Sequence, residues 1–477
     1  MFQAESLFHK KITDDPYLFT NLVFGFFPIS FILGSLIVNL NLSLICILGI
    51  YHLKSKILTT KINFALKIIF LFFLIIFIST LISFIKTTYL YGYDNSVLER
   101  LFKSILFFRF FLFLLIIYFL CKFNFLNLRY FFFVAAFSSI LVSLDLILQY
   151  LLGFNTIGLK SFGFSNTGFF GQEKIAGGYI LRFSFFSIFL LVFLFQSKKY
   201  IKIFSSVAII CILASGMLFS GNRMPIVLFL FGLCLLFVFK PGFKKIVSVS
   251  FVALFLLFQL IINTNDSYKK YIYNAYKSYY QSVNSIIPLF SKTYVTHAKV
   301  ENIEKDVSVK SKKIFYEVKF DSMQKRVLLA SIETWKQNKI FGNGIKSFRG
   351  DCWELEKRPD TYMGEDLHPD KKNLLCSTHP HNYYFEILTE TGIVGLVIII
   401  IIALMFLIYI YKNLKFLNDV SYEKAILLAS IISLILETIP LRSTGSIFTS
   451  NNATYLVLIS AIVLCHKMLI KINNQDE

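Results

Sequence analysis

Apolar runs of about twenty residues, separated by short polar turns, dominate this chain and restrict its fold more than any other feature. A helix needs about 20 apolar residues to cross a bilayer. Twelve such runs fall near 17–37, 41–53, 62–85, 102–121, 128–152, 177–196, 200–220, 225–239, 246–263, 393–411, 424–440 and 453–470. The second is short, and the first two read equally well as one re-entrant pair. The 477 residues are 56% hydrophobic with a mean hydropathy of +0.66, against roughly 45–50% apolar in soluble domains. The expected fold is an all-α polytopic membrane protein of about twelve transmembrane helices. Its 56 phenylalanines suit a lipid-facing surface. The N-terminus stays polar to Asp15 and lacks the pattern of a cleavable signal, so the first span is expected to act as an uncleaved anchor.

Lysine sorts the loops into two sets. One set carries Lys10 and Lys11, Lys54 and Lys56, Lys122 and Arg129, Lys198 and Lys199, Lys244 and Lys245, Lys412 and Lys415, and Lys467 and Lys471. The opposite short loops carry few cations. The positive-inside rule makes the first set cytoplasmic. Both termini then lie inside, and the long loop of residues 264–380 lies outside. Much of the net charge of +20 is therefore topology-setting lysine and gives no argument for nucleic acid. The remaining basic excess in the outer loop suits an anionic partner or an ordinary solvated surface.

Three regions follow: a bundle of about nine spans over residues 1–263, a loop domain over 264–392, and about three spans over 393–477. The loop opens with a Tyr- and Lys-rich stretch, Tyr268 to Tyr280, which reads either as an interfacial helix or as a sugar-stacking surface. Residues 296–320 are polar without periodicity. Met323, Val327, Ala330, Ile332 and Trp335 recur at helical steps, so 321–340 reads as a helix ended by Asn338, Gly342 and Gly344. No internal repeat stands out. Charges inside apolar runs are few, and Asp145, Arg182 and Glu437 stand out among them.

Chemistry-bearing residues gather on the outer side. His379-Pro380-His381-Asn382 lies where the loop re-enters apolar sequence, with Gly392 and Gly395 at the start of the run Leu396–Ile402. A histidine at such a surface exchanges protons near neutral pH. His379 also reads as a capping or orienting neighbour of His381. Arg223, in the turn Ser220-Gly221-Asn222-Arg223, Arg326, at the start of the loop helix, and Arg442, in Pro440-Leu441-Arg442, place three guanidinium groups on the face of His381. Guanidinium matches phosphate bidentately, so a diphosphate is the expected ligand; anchoring at the interface and surface solvation are the plainer readings of these arginines. Cys46, Cys121, Cys211, Cys234 and Cys465 fall in spans and read as small apolar residues. Cys352 and Cys376, both in the outer loop, form a candidate disulfide in an oxidising compartment. No metal-ligand spacing is present, and no cofactor is expected.

These residues carry a resemblance. His381-Asn382, then Gly392 and Gly395, together with Arg326, Trp335 and Ile340-Phe341-Gly342-Asn343-Gly344, and with Ser220-Gly221-Asn222-Arg223, resemble the O-antigen ligase-like membrane proteins over roughly residues 205–410. In the arginine turn, Asn222 replaces the serine of the family pattern. The resemblance implies a lipid-donor, GT-C-like glycosyltransferase with a mostly helical periplasmic loop domain. The donor is a glycan on undecaprenyl diphosphate, and the acceptor is lipid A-core or another glycan. The reaction is an inverting, metal-independent displacement in the bacterial inner membrane, with His381 as general base or orienting the acceptor, and Arg223 and Arg326 stabilising the leaving group. Asn382, Arg442, His379, Gly392 and Gly395 are the accompanying substrate-binding candidates; Arg442 is placed there by topology alone. A polymerase joining lipid-linked repeat units shares this donor chemistry. A polysaccharide transporter or flippase is the reading from another class, and the missing repeat weighs against it.

Overall fold

A backbone in lipid has no water to satisfy its polar groups, so each apolar run closes its hydrogen bonds within a helix. The computed structural model of the chain describes residues 15–92, 95–163, 165–264, 323–357, 374–413, 421–440 and 445–473, with 268–270, 273, 274, 277, 442 and 443. Among the described residues there are helices and a single isolated bridge, Phe154 to Lys160, and no strand. In chain order the main helices are α1 (Leu18–Gly25), α2 (Phe27–Leu33), α3 (Ser35–Leu53), α4 (Phe64–Tyr91), α5 (Asn95–Lys122), α6 (Arg129–Leu152), α7 (Ala176–Leu194) and α8 (Lys199–Phe219). They continue with α9 (Arg223–Phe239), α10 (Lys244–Thr264), α11 (Met323–Lys336), α12 (Phe348–Lys357), α13 (Tyr383–Asn413), α14 (Tyr422–Thr438) and α15 (Ser450–Asn473).

Among the described residues, eight helices are long and apolar enough to cross a membrane: α3 to α8, α10 and α13. The twelve expected spans differ from this at identifiable places. The run at 17–37 is broken into α1 and α2 at Phe26, and ends at Gly34 with φ 104°. The chain then reverses into α3, which brings Thr20 Oγ1 to 2.9 Å from His52 Nε2, so the first two expected spans form one hairpin. Helices α9 and α15 are apolar but have shorter spanning stretches, and α14 has 17 residues.

The bundle is organised around α7, which packs against α6, α8, α9 and α14 and is the most enclosed of the eight, with 67% of its apolar window buried. Phenylalanine does more than face lipid. Ten of the twelve largest fully buried side chains are phenylalanine, among them Phe131, Phe183 and Phe186, whose rings meet edge-on or tilted. Helices in lipid associate through close packing rather than water exclusion, and flat rings fill that space.

Two polar stretches fold against this bundle. Asp145, buried in α6, accepts from the backbone N–H of Thr156 (3.0 Å), from its hydroxyl (2.6 Å) and from Asn155 Nδ2 (3.2 Å), and so organises the loop that follows α6. The loop after α11 inserts beside α13. Asn343 N donates to Thr389 O (3.1 Å), Gly344 N to Glu390 O (2.8 Å), and Ile393 N to Lys339 O (3.0 Å). Ser79 of α4 donates to Phe341 O and to Glu390 O, and Thr80 Oγ1 accepts from Ile345 N. Gly392 makes this docking possible. With φ 67° and ψ −168° it interrupts α13, and a Cβ there would stand 2.6 Å from Gly342 N and closer still to the Ile340 carbonyl. Helix α13 thus starts at Tyr383, ten residues before the expected span at 393, and continues past the kink. The stretch from 383 to 391 is too polar to read as a span, and its Glu386, Thr389, Glu390 and Thr391 are buried within protein. Of the Tyr-rich stretch, most lies outside the described residues. Tyr268 itself is buried against Tyr150 and Phe219 rather than displayed to headgroups or sugars. Residues 296–320 also lie outside the described residues.

Gly392→Ala should cost about 1–3 kcal/mol in backbone strain alone, before the clash with Ile340 is counted. A melting measurement on the detergent-purified variant should show a lower midpoint and a smaller folded yield than wild type.

Candidate active site

The segment before α13 is held on three sides. Cys352 of α12 and Cys376 are bonded, with a Cα–Cα distance of 5.7 Å. Both sit in a small core with Val327, Ala330 and Phe348. Arg326, half-buried at the start of α11, lies along the same segment: Leu375 N donates to its carbonyl (3.4 Å), and its Nη2 is 3.5 Å from Leu374 O. Beyond the disulfide, Ser377 Oγ stands 3.2 Å from His381 Nε2, and the rings of His379 and His381 lie 4.2 Å apart between centroids. His381 is exposed and has φ 57°.

Asn382 caps α13. Its Oδ1 accepts from Tyr384 N (3.0 Å) and Phe385 N (3.3 Å), satisfying backbone donors that a helix start leaves open. Its Nδ2 donates to Pro440 O (2.6 Å) and reaches Arg442 O (3.5 Å). One side chain therefore joins the histidine segment to the loop that carries Arg442.

A cavity of about 910 Å³ opens beside this junction. The start of α7 contributes Gly178, Tyr179 and Arg182; the start of α9 contributes Arg223 and Pro225; the loop before α15 contributes Arg442 and Ser443, and the start of α15 contributes Asn452. Lys174 and Lys346 add two more cations, while Glu173 is the carboxylate among the lining residues. Lys346 sits on the docked loop with φ 56°. Burial holds its ammonium below the ordinary lysine range, and Arg349 and Lys103 push the same way. Lys174 and Arg223 are exposed, so their charges reach the cavity mouth.

Behind the wall lies Glu437 of α14, 1% exposed, which pairs with Arg182 (2.7 Å) and Arg442 (2.6 Å). Tyr383, the first residue of α13, donates its hydroxyl to the same carboxylate at 2.9 Å. Arg182 Nη2 also donates to Asn452 Oδ1 at 2.6 Å.

Of the sequence candidates, Arg223 and Arg442 share the cavity. Arg326 and His381 do not line it; they flank the segment that Asn382 ties to its edge. Gly392 and Gly395 serve packing: Gly392 admits the loop, and Gly395 lies beneath the Thr391 side chain. Arg182, Lys346, Tyr383 and Glu437 belong to the site and were not among its candidates. The signal for two of them was present, since a charge in an apolar span needs a partner, and Arg182 and Glu437 lie in separate spans.

With this geometry in place, a comparison with known proteins finds a family match over part of the chain. Residues 208–400 match the family model described as O-Antigen ligase. The chain carries an O-antigen ligase-like domain. The match spans Arg223, Arg326, His379, His381, Asn382, Gly392 and Gly395, and places the chain with membrane enzymes of the ligase and polymerase type in lipopolysaccharide synthesis. Arg182, Glu437 and Arg442 lie outside the matched residues of this ligase-like chain. No curated protein matches it.

Asn382→Ala should lower stability by about 1–2 kcal/mol through loss of the cap. Asn382→Asp keeps the cap acceptor and loses the donor to Pro440, so its melting shift should be the smaller of the two. Equal shifts would assign the loss to the tether instead.

Proposed function

We propose that this protein transfers a glycan from undecaprenyl diphosphate to the lipid A-core acceptor, on the periplasmic face of the bacterial inner membrane, with both termini cytoplasmic. The observation that carries the reading is the cavity lined by arginine and lysine inside an O-antigen ligase-like bundle. A polyprenyl diphosphate needs a cationic seat for its headgroup and a sideways exit to lipid for its tail. Arg182, Arg223, Arg442, Lys174 and Lys346 supply the first; Phe31 and Leu228, on the same wall, supply apolar surface for the second.

The chemistry is one displacement. An acceptor hydroxyl oxygen attacks the anomeric carbon from the face opposite the diphosphate, so the configuration inverts. The bond from that carbon to the diphosphate oxygen breaks, and undecaprenyl diphosphate leaves. His381 takes the hydroxyl proton as general base. Arg223, at the cavity, stabilises the charge that gathers on the departing diphosphate, and Arg326 joins it from the histidine segment that Asn382 ties to the cavity edge. No metal is required in this scheme, because guanidinium carries the charge. The loop domain of residues 264–392 brings the base to the acceptor side, and Asn382 fixes its distance from the Arg442 loop.

Ligase and polymerase share this donor and differ in acceptor. Lipopolysaccharide from a deletion strain, resolved on a gel, separates them. Loss of the ligase leaves bare core with polymer retained on the lipid carrier. Core bearing a single repeat unit would identify the protein as the polymerase and overturn the ligase reading. Within the ligase, His381→Ala should retain normal membrane levels and lose transfer by about 10²-fold or more. Near-normal transfer by that variant would remove His381 from the mechanism.

A further inference from the structure

Two guanidinium groups share one buried carboxylate at the cavity wall. Glu437 Oε1 accepts from Arg182 Nη2 at 2.7 Å and from the Tyr383 hydroxyl at 2.9 Å. Its Oε2 accepts from Arg182 Nε at 3.2 Å and from Arg442 Nη1 at 2.6 Å. The carboxylate is thus fully engaged. Arg182 Nη1, and Nε and Nη2 of Arg442, have no hydrogen-bond partner among the described residues, although both side chains line the cavity. Each guanidinium is also held in place. The plane of Arg182 lies over the Tyr455 ring at 4.6 Å, and Arg442 Nη1 donates to Leu436 O at 3.2 Å.

Charge makes the arrangement informative. Two cations against one anion leave a positive excess at a nearly dry wall: the Arg182 and Arg442 side chains are 15% and 10% exposed. An uncompensated charge in such a place is costly, and an anion brought into the cavity removes the cost. The free edge of Arg442, Nε with Nη2, is the fork that meets two oxygens of one phosphate.

We propose that Arg182 and Arg442 form a phosphate seat for the lipid-linked diphosphate, and that Glu437 is the positioning residue that aims both. This rests on the reading of the donor given above and adds to it a seat made by residues outside the matched ligase segment. Glu437 touches no substrate. It acts by occupying one edge of each guanidinium so that the remaining donors face the cavity. Tyr383 couples this seat to the histidine segment, because it follows His381 by two residues and binds the same carboxylate.

The test uses the full-length protein in nanodiscs, with undecaprenyl diphosphate carrying no glycan as the probe. Wild type should bind it. Glu437→Gln replaces one acceptor oxygen with an amide donor that faces a guanidinium and so spoils the aim; despite the greater positive excess it should weaken binding about tenfold or more and raise the donor KM while leaving the acceptor KM unchanged, and tighter binding would refute the positioning role. An apolar double variant, Arg182→Met with Glu437→Leu, removes one cation together with the anion; Arg442 is left without its carboxylate, so the variant should melt below wild type while binding poorly. Wild-type affinity in that double variant would show the cluster to be structural only and would overturn the seat. Should the double variant not fold, Arg442→Lys decides: a raised donor KM alone supports the seat, and equal changes in donor and acceptor KM refute it. The two readings fail separately. Arginine-dependent diphosphate binding without glycan transfer to any acceptor keeps the seat and removes the transferase. Transfer with an unchanged donor KM in the Glu437 variant keeps the transferase and removes the seat.

Discussion

Glu437 is a buried anion between two buried cations, and the end of the bundle that holds the cavity is arranged around it. A lone charge among apolar helices is expensive, and breaking a buried pair by removing one partner costs about 3–5 kcal/mol. That cost acts as a constraint on geometry. Helix α7 must present Arg182, α14 must present Glu437, the following loop must fold back to bring in Arg442, and α13 must begin where Tyr383 reaches the same carboxylate. Asn452 adds the start of α15 through Arg182. Five segments, three of them between residues 437 and 452 and the others around Arg182 and Tyr383, are thereby fixed at one point, and the cavity is the space they leave.

A second constraint is steric rather than electrostatic. The loop carrying Gly342 and Gly344 lies against the kink at Gly392, backbone on backbone, with Ser79 and Thr80 of α4 closing the contact. Only residues without a Cβ fit there, which accounts for glycine in both stretches. The consequence reaches the site through two short connections. Lys346 follows directly from the docked loop, and its backbone N–H is held by the Glu390 carboxylate. His381 precedes the first turn of α13, whose other end is the kink. Electrostatics thus orients the arginines, while backbone packing sets where the histidine segment and Lys346 stand.

Sequence made some of this legible and hid the rest for physical reasons. Long apolar runs announced the helices, and helical spacing from Met323 to Trp335 announced α11. Charge asymmetry and spacing put Arg223 and Arg442 on one side, and the structure places both on one cavity. The start of α13 was hidden because Glu386, Thr389 and Glu390 look like loop residues; their partners, such as Ile447 N for Glu386, come from distant segments. The broken first span was hidden because α1 and α2 together have the composition of one helix. Arg182 and Glu437 each stood out as a charge in an apolar run, yet their pairing spans 255 positions and is invisible to local pattern. Phenylalanine misled in the same way, since a ring that faces lipid and a ring that fills the core are the same letter.

The proposed displacement requires an intact diphosphate as its leaving group. Purified protein in nanodiscs, given a glycan on undecaprenyl diphosphate and a lipid A-core acceptor, measures this directly through the lipid product. Undecaprenyl diphosphate should be released in equal amount to the glycan transferred, with inverted configuration at the new linkage. Release of undecaprenyl monophosphate, or transfer with retained configuration, would contradict it.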